Sequence, residues 1–204
     1  MIERRPLPQS FYERRAREVA RDLLGKRLVR VDAGARLAGI IVETEAYCDG
    51  EEPDLACHGS ANKGRPTART KVMFGAAGHA YVYFTYGLHW MFNVVTGSRG
   101  QANAVLIRAL EPLEGIDLMA ERRTRPFPEL TNGPAKLAQA LGIDKSLNGA
   151  CLFADDGVIW VEAGDVAGDL AVSRGPRIGL GDTPEPWKSV AWRFWLKGNK
   201  WVSK

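Results

Sequence analysis

Gly39-Ile40-Ile41-Val42-Glu43-Thr44-Glu45-Ala46-Tyr47 alternates with period two. Read as a strand, it puts Ile41, Glu43, Glu45 and Tyr47 on one face and Ile40, Val42, Thr44 and Ala46 on the other. Carboxylates that share a face with an aliphatic and an aromatic side chain must be compensated if that face is covered. An edge strand would satisfy both acids with water, the commonest fate of glutamate. The residues downstream favour a chemical use instead. Tyr47 leads through an acidic loop to His58, and the aromatic run Tyr81-Val82-Tyr83-Phe84-Thr85-Tyr86-Gly87 follows.

Upstream, Leu28 to Val31 predicts a short strand, turned into the first by Asp32-Ala33-Gly34-Ala35. Ser10-Phe11-Tyr12-Glu13 has the capping-box pattern and Gly25 supplies a stop, so residues 11–24 predict a helix. Its apolar stripe is Ala16, Val19, Ala20, Leu23 and Leu24. Arg14, Arg15, Arg17 and Arg21 fall on the polar side, either solvated or against a polyanion.

Downstream, Cys48 to Arg69 is long and irregular, the type of loop that carries function. It begins acidic at Asp49, Glu51, Glu52 and Asp54 and turns basic at Lys63, Arg65, Arg69 and then Lys71. Residues 78–95 predict two strands with a turn near Gly87. Tyr81, Tyr83 and Thr85 share one face, Val82 and Phe84 the other, and Tyr86 sits at the tip, where it is better placed to enter something else than to fill a core. Asn93 interrupts an apolar strand and needs a partner or a ligand. Arg108 likewise interrupts the strand Ala104 to Leu110, and is expected near Glu43 or Glu45.

Leu113 to Arg123 predicts a helix with Ile116, Met119 and Ala120 inward. Residues 132–142 predict another, opened by Pro134 and closed by Gly142, with Lys136 near the N–H groups of its first turn. Beyond it, Cys151 to Phe153, Val158 to Val161 and Val190 to Leu196 read as strands, and Trp187, Trp192, Trp195 and Trp201 as core and sheet cover.

At 204 residues the chain reads as a single domain, 1–204, without repeats, long enough to bury roughly 70% of its unfolded surface. Three cysteines, Cys48, Cys57 and Cys151, match no zinc spacing and suit free thiols in a reducing compartment. With neither an apolar leader nor a run of about 18 apolar residues, a soluble cytoplasmic protein without membrane contact is expected. A net charge of +4 is compatible with a polyanionic partner without requiring one. The His-x-Glu and Cys-x-x-Cys pair of a zinc base deaminase is missing. Arg65-Pro66 stands where a phosphate loop needs Lys-Ser/Thr, and neither Gly-x-Ser-x-Gly nor Gly-x-Gly-x-x-Gly occurs. What remains is carboxylate chemistry beside aromatics, with no metal and no cofactor expected.

Val42-Glu43-Thr44-Glu45-Ala46-Tyr47, His58, the run Tyr81 to Gly87, Asn93 and Arg108-Ala109-Leu110-Glu111-Pro112 together resemble the 3-methyladenine DNA glycosylase family of the alkyladenine (methylpurine) type. Gly133-Pro134-Ala135-Lys136-Leu137, Arg177-Ile178-Gly179 and Trp201-Val202-Ser203 extend the resemblance over nearly the whole chain after the first helix. The resemblance implies an α+β fold, one mixed domain with a curved, mostly antiparallel sheet flanked by helices and no helix-hairpin-helix. It makes Glu45 the carboxylate that activates water, with Arg108 helping to organise that water. Tyr47, His58 and Tyr83 become walls of a pocket for a flipped base. Asn93 rejects ordinary guanine through its 2-amino group, and Tyr86 is the wedge that fills the gap in the stack. Arg65, Thr67, Leu88, His89, Lys136 and Lys145 match positions that touch DNA. His89 stands where the family often carries an aromatic.

The implied partner is double-stranded DNA containing a damaged purine, acted on by a monomer. A cationic alkylpurine is already a good leaving group, so one carboxylate and one water suffice to break the N-glycosidic bond. No lysine or amino-terminal proline is placed by motif as a nucleophile, so a monofunctional enzyme that leaves an abasic site is expected. A lesion-binding or nucleic-acid-binding module of the same fold, which flips and holds a base without cutting, is the alternative. An RNA-binding domain of similar mixed architecture and a hydrolase of free nucleosides are two further readings.

Overall fold

The computed structural model describes residues 4–48, 53–124, 129–164 and 171–203; Asp49, Glu51 and Glu52 lie outside them. Strands β1 (Arg27–Asp32) and β2 (Ala35–Tyr47) form a hairpin. Ala33 and Gly34 close it with φ of 47° and 81°, the two left-handed residues that a type I′ turn needs to match strand twist. β2 is the spine of the fold. One edge pairs β1 along its first half and β8 (Arg193–Leu196) at Glu43–Glu45, while the other pairs β5 (Ala104–Glu114). At Gly39 the approach to β5 is so close that a Cβ would lie 2.9 Å from the Glu111 carbonyl oxygen.

The sheet runs β3 (Ala80–Thr85), β4 (His89–Val95), β5, β2, β1, β6 (Ile159–Glu162), and β7 (Val172–Gly175) pairs with β8. Every pairing is antiparallel and the sheet curls into a half-barrel, as an α+β reading requires. Helices α1 (Gln9–Tyr12), α2 (Ala16–Asp22), α3 (Ala61–Gly64), α4 (Ile116–Arg123) and α5 (Pro134–Ala140) complete the described elements. The main core lies between the sheet and α2, α4 and α5, where Ala16, Val19, Ala20, Leu23, Met119 and Leu137 meet Leu28, Leu37, Ile41 and Val42. Thr44 Oγ1 fixes α2 to the spine by donating to the Ala20 carbonyl at 2.7 Å. A smaller cluster of Cys57, Met73, Tyr81, Val95, Ala102 and Ala104 packs with Tyr47 and Tyr83.

Several local expectations give way to longer-range contacts. The single helix over residues 11–24 is two helices. The Tyr12 carbonyl accepts from the Gly97 N–H at 2.9 Å, and Arg15 turns extended at ψ 139° before α2 starts. Neither helix has a side-chain cap, so the Ser10 capping box does not form. Its arginines are partly absorbed by the fold, since Arg14 pairs with Asp22 at 2.7 Å and Arg17 lies over Trp192. Leu113 and Glu114 extend β5 instead of opening a helix, because Ala38 pairs with Glu114. Cys151 makes only an isolated bridge with His79, Val190 to Trp192 precede β8, and β7 was not anticipated. The three thiols are free. Among the described residues no helix is long and apolar enough to cross a membrane.

Candidate active site

Both glutamates of the opening stretch are fully buried, so the solvated-edge reading fails. Their placement comes from two irregularities in adjacent strands. Pairing passes from Ile41–Leu110 to Glu43–Ala109 and then to Thr44–Ile107, so Val42 on β2 and Arg108 on β5 are each extra residues. Bulges re-aim the side chains around them. Here they bring Arg108 against both acids, with Nε 3.1 Å from Glu43 Oε1 and Nη1 3.1 Å from Glu45 Oε1.

The two acids differ in what else they accept. Glu43 takes Arg193 Nη1 at 3.0 Å, the Ser203 N–H at 2.7 Å and the Ser203 hydroxyl at 3.0 Å. It is a structural anchor, spent on fixing Arg108, β8 and the C-terminal segment. Glu45 accepts from the Ile178 N–H at 2.7 Å and the Tyr47 hydroxyl at 2.9 Å. A carboxylate offers about four lone-pair positions. Arg108, Ile178 and Tyr47 use three of them and leave one on Oε2. Burial raises the Glu45 pKa above the ordinary carboxylate value, against the opposing pull of Arg108, Ile178 and Tyr47, while the charge of Glu43 raises it further.

Beside this pair lies a cavity of about 190 Å³. Tyr47, His58, Tyr81, Tyr83, Thr85, Tyr86 and Asn93 line it, with Ala56, Met73, Ala104, Gly179, Leu180 and Thr183 completing the wall. The alternation of β3 delivers Tyr81, Tyr83 and Thr85 as expected. The His58 and Tyr83 rings meet edge to face at 4.6 Å, and His58 Nδ1 is 3.0 Å from the Tyr81 hydroxyl. Burial, helped by the charge of Arg69, lowers the His58 pKa to about 4, so the ring is neutral at neutral pH. Burial also pushes the Tyr83 hydroxyl up to about 12, and those of Tyr47 and Tyr81 upward. Asn93 answers the demand for a partner by donating Nδ2 to the Tyr81 carbonyl at 3.0 Å across the β3–β4 ladder.

Tyr86 forms the tip of the β3–β4 hairpin, 84% exposed and held at φ 52°. An aromatic residue in the left-handed region is uncommon, and such strain gathers at functional positions. Leu88 and His89 are exposed beside it. Arg65 and Thr67 are exposed on the loop that carries Arg69 to Tyr83. Lys136 lines a separate cleft with Lys200, Ser203 and Arg108, where it bonds Asn132 Oδ1 at 2.9 Å. Lys145 is exposed on a 3-10 turn, Lys145–Leu147, which Asn148 ties to β3 by accepting from the Val82 N–H at 3.0 Å.

The sequence reading missed the support behind Tyr47. Arg177, 5% exposed, lies 4.7 Å from the centre of that ring and makes a two-point ion pair with fully buried Asp54, one arm at 2.9 Å. It also donates to the Ala46 carbonyl at 3.0 Å and the Trp187 carbonyl at 3.1 Å. The next residue supplies the Ile178 N–H to Glu45. Asp54 had counted as one acid among four in a loop, and Arg177 belonged to a motif without a role of its own. Among the described residues no group of three or more His, Cys, Asp and Glu side chains is placed to hold a metal ion.

The family model for methylpurine-DNA glycosylases matches residues 10–200. The chain belongs to that family. Over 97% of its length it is 48% identical to a protein of Carboxydothermus hydrogenoformans named "Putative 3-methyladenine DNA glycosylase", covering 98% of that relative. Proteins of the same name from Myxococcus xanthus and Methanocella arvoryzae are each 47% identical over 97% of this chain, covering 93% and 96% of theirs. Membership in the methylpurine-DNA glycosylase family makes this protein a DNA glycosylase of alkylation repair.

Proposed function

We propose that the protein extrudes a damaged purine from duplex DNA into the aromatic cavity and hydrolyses its N-glycosidic bond with water activated by Glu45. The observation that carries this reading is the state of Glu45, a buried carboxylate held by three donors with one acceptor position left, beside a cavity walled by aromatic rings. Extrusion costs a few kcal/mol. Stacking against Tyr47, His58 and Tyr83 returns about 1–3 kcal/mol per stacked base, and Tyr86 fills the gap left in the duplex.

In the chemical step the water oxygen bonds to C1′ of the sugar and its proton passes to Glu45. The electron pair of the C1′–N bond leaves with the base. The negative charge of Glu45 favours the developing sugar cation, and Arg108 keeps the carboxylate in place. Asn93, which lines the cavity and is held through its amide by the Tyr81 carbonyl, rejects ordinary guanine through its 2-amino group. Arg65, Thr67, Leu88, His89, Lys136 and Lys145 position the backbone. No lysine lines the cavity among the described residues, which supports a monofunctional hydrolase that leaves an abasic site.

Single-turnover base release from a duplex carrying one 3-methyladenine analogue or one hypoxanthine tests this, with Glu45→Gln and lesion binding measured in parallel. Release by wild type, and binding without release by the variant, is the expected result. Binding by both with release by neither would replace the hydrolase with a lesion-binding module. A covalent adduct trapped by borohydride would overturn the monofunctional step.

A further inference from the structure

Arg69 belongs to none of the roles above. It is exposed on the loop after α3, yet its guanidinium carbon sits 4.9 Å from the centre of the Tyr83 ring. It also reaches the Tyr81 hydroxyl, the group that meets His58 Nδ1 at 3.0 Å. A guanidinium cannot accept a hydrogen bond. It therefore engages a lone pair of the Tyr81 oxygen, so one fixed positive charge stands against two tyrosines of the cavity wall, beside the neutral His58 ring.

We propose that Arg69 is a specificity-determining residue of the base cavity, favouring lesion bases that leave with a developing negative charge over those that enter as cations. This rests on the glycosylase reading above. A neutral lesion such as hypoxanthine takes the C1′–N9 electron pair and becomes an anion, while a 7-methylpurine enters positive and leaves neutral. The guanidinium stabilises the first departure and repels the second on entry. Coulombic influence of Arg69 on His58, Tyr81 and Tyr83 alike supports the view that its charge is felt across the wall.

The experiment measures single-turnover release of hypoxanthine and of 7-methylguanine from otherwise identical duplexes by wild type, Arg69→Gln and Arg69→Lys. Arg69→Gln is expected to lower the hypoxanthine rate about tenfold while 7-methylguanine release changes less than about threefold. Arg69→Lys, which keeps the charge, should hold the ratio nearer to wild type. Equal losses on both lesions would make Arg69 a backbone contact and overturn the proposal, as would an unchanged ratio. Wild-type protein that released neither of these bases nor a 3-methyladenine analogue would instead remove the glycosylase reading, and this inference with it.

Discussion

The Tyr47 hydroxyl donates to Glu45 Oε2 at 2.9 Å from two residues along the same strand, and the ring that carries it is a wall of the aromatic cavity. One residue therefore both lines the cavity and holds the carboxylate. Tyr47→Phe separates these duties, because it keeps the ring and removes the donor. Lesion binding is expected to stay within about threefold, while the single-turnover rate falls about ten- to a hundredfold, the usual worth of one charge-assisted hydrogen bond.

The raised pKa of Glu45 has a definite sign in the pH profile. Only the ionised form accepts a proton from water, so activity should fall on the acid side with a midpoint above the ordinary glutamate value of about 4.3. His58, which titrates near 4, contributes nothing above that range. Tyr47→Phe should move the acid limb further upward, since it removes a bond that favours the anion. A profile flat down to the ordinary carboxylate range would refute this.

The same shift bears on stability. A folded-state pKa above the unfolded one means that the native protein holds this proton more tightly. Its contribution is complete at low pH and is lost as pH rises through the folded value. Glu45→Gln should therefore have a urea midpoint at neutral pH equal to or above that of wild type, the trade expected when activity needs a costly charge.

Arg108→Ala behaves in the opposite way. It leaves Glu43 and Glu45 facing each other in the interior without their shared cation, and removing one partner from a buried charge cluster costs about 3–5 kcal/mol. Urea unfolding at neutral pH should show the loss, and acidification, by protonating the acids, should reduce it.

Tyr86→Ala touches no core contact. Affinity for a lesion duplex should fall by about 1–3 kcal/mol, the value of one stacked aromatic. The urea midpoint should correspond to a change within about 0.5 kcal/mol, as for an exposed substitution.

The period-two pattern from Gly39 to Tyr47 was enough to find the strand, and its buried-charge problem was enough to single out the acids and to expect Arg108 beside them. What alternation cannot express is a bulge. Val42 and Arg108 each add a residue to one strand only, and that offset lets both acids face one cation. The aromatic wall was legible for the same reason as the strand, since Tyr81, Tyr83 and Thr85 keep strict alternation on β3. Asp54 and Arg177 were not legible. They lie 123 residues apart, and nothing local distinguishes a buried loop acid from a solvated one. The helix over residues 11–24 failed for a related reason, because the Gly97 N–H that takes the Tyr12 carbonyl comes from a distant turn.

Glu43 is fixed by Arg193 and Ser203, which follow it by 150 and 160 residues, and Glu45 by Ile178, which follows by 133. The strand that carries the carboxylates is made well before three of the groups that hold them. Without β8 and the residues after it, Glu43 would have neither the Ser203 anchor nor Arg193. The carboxylate pair is thus completed by residues far along the chain from the strand that carries it.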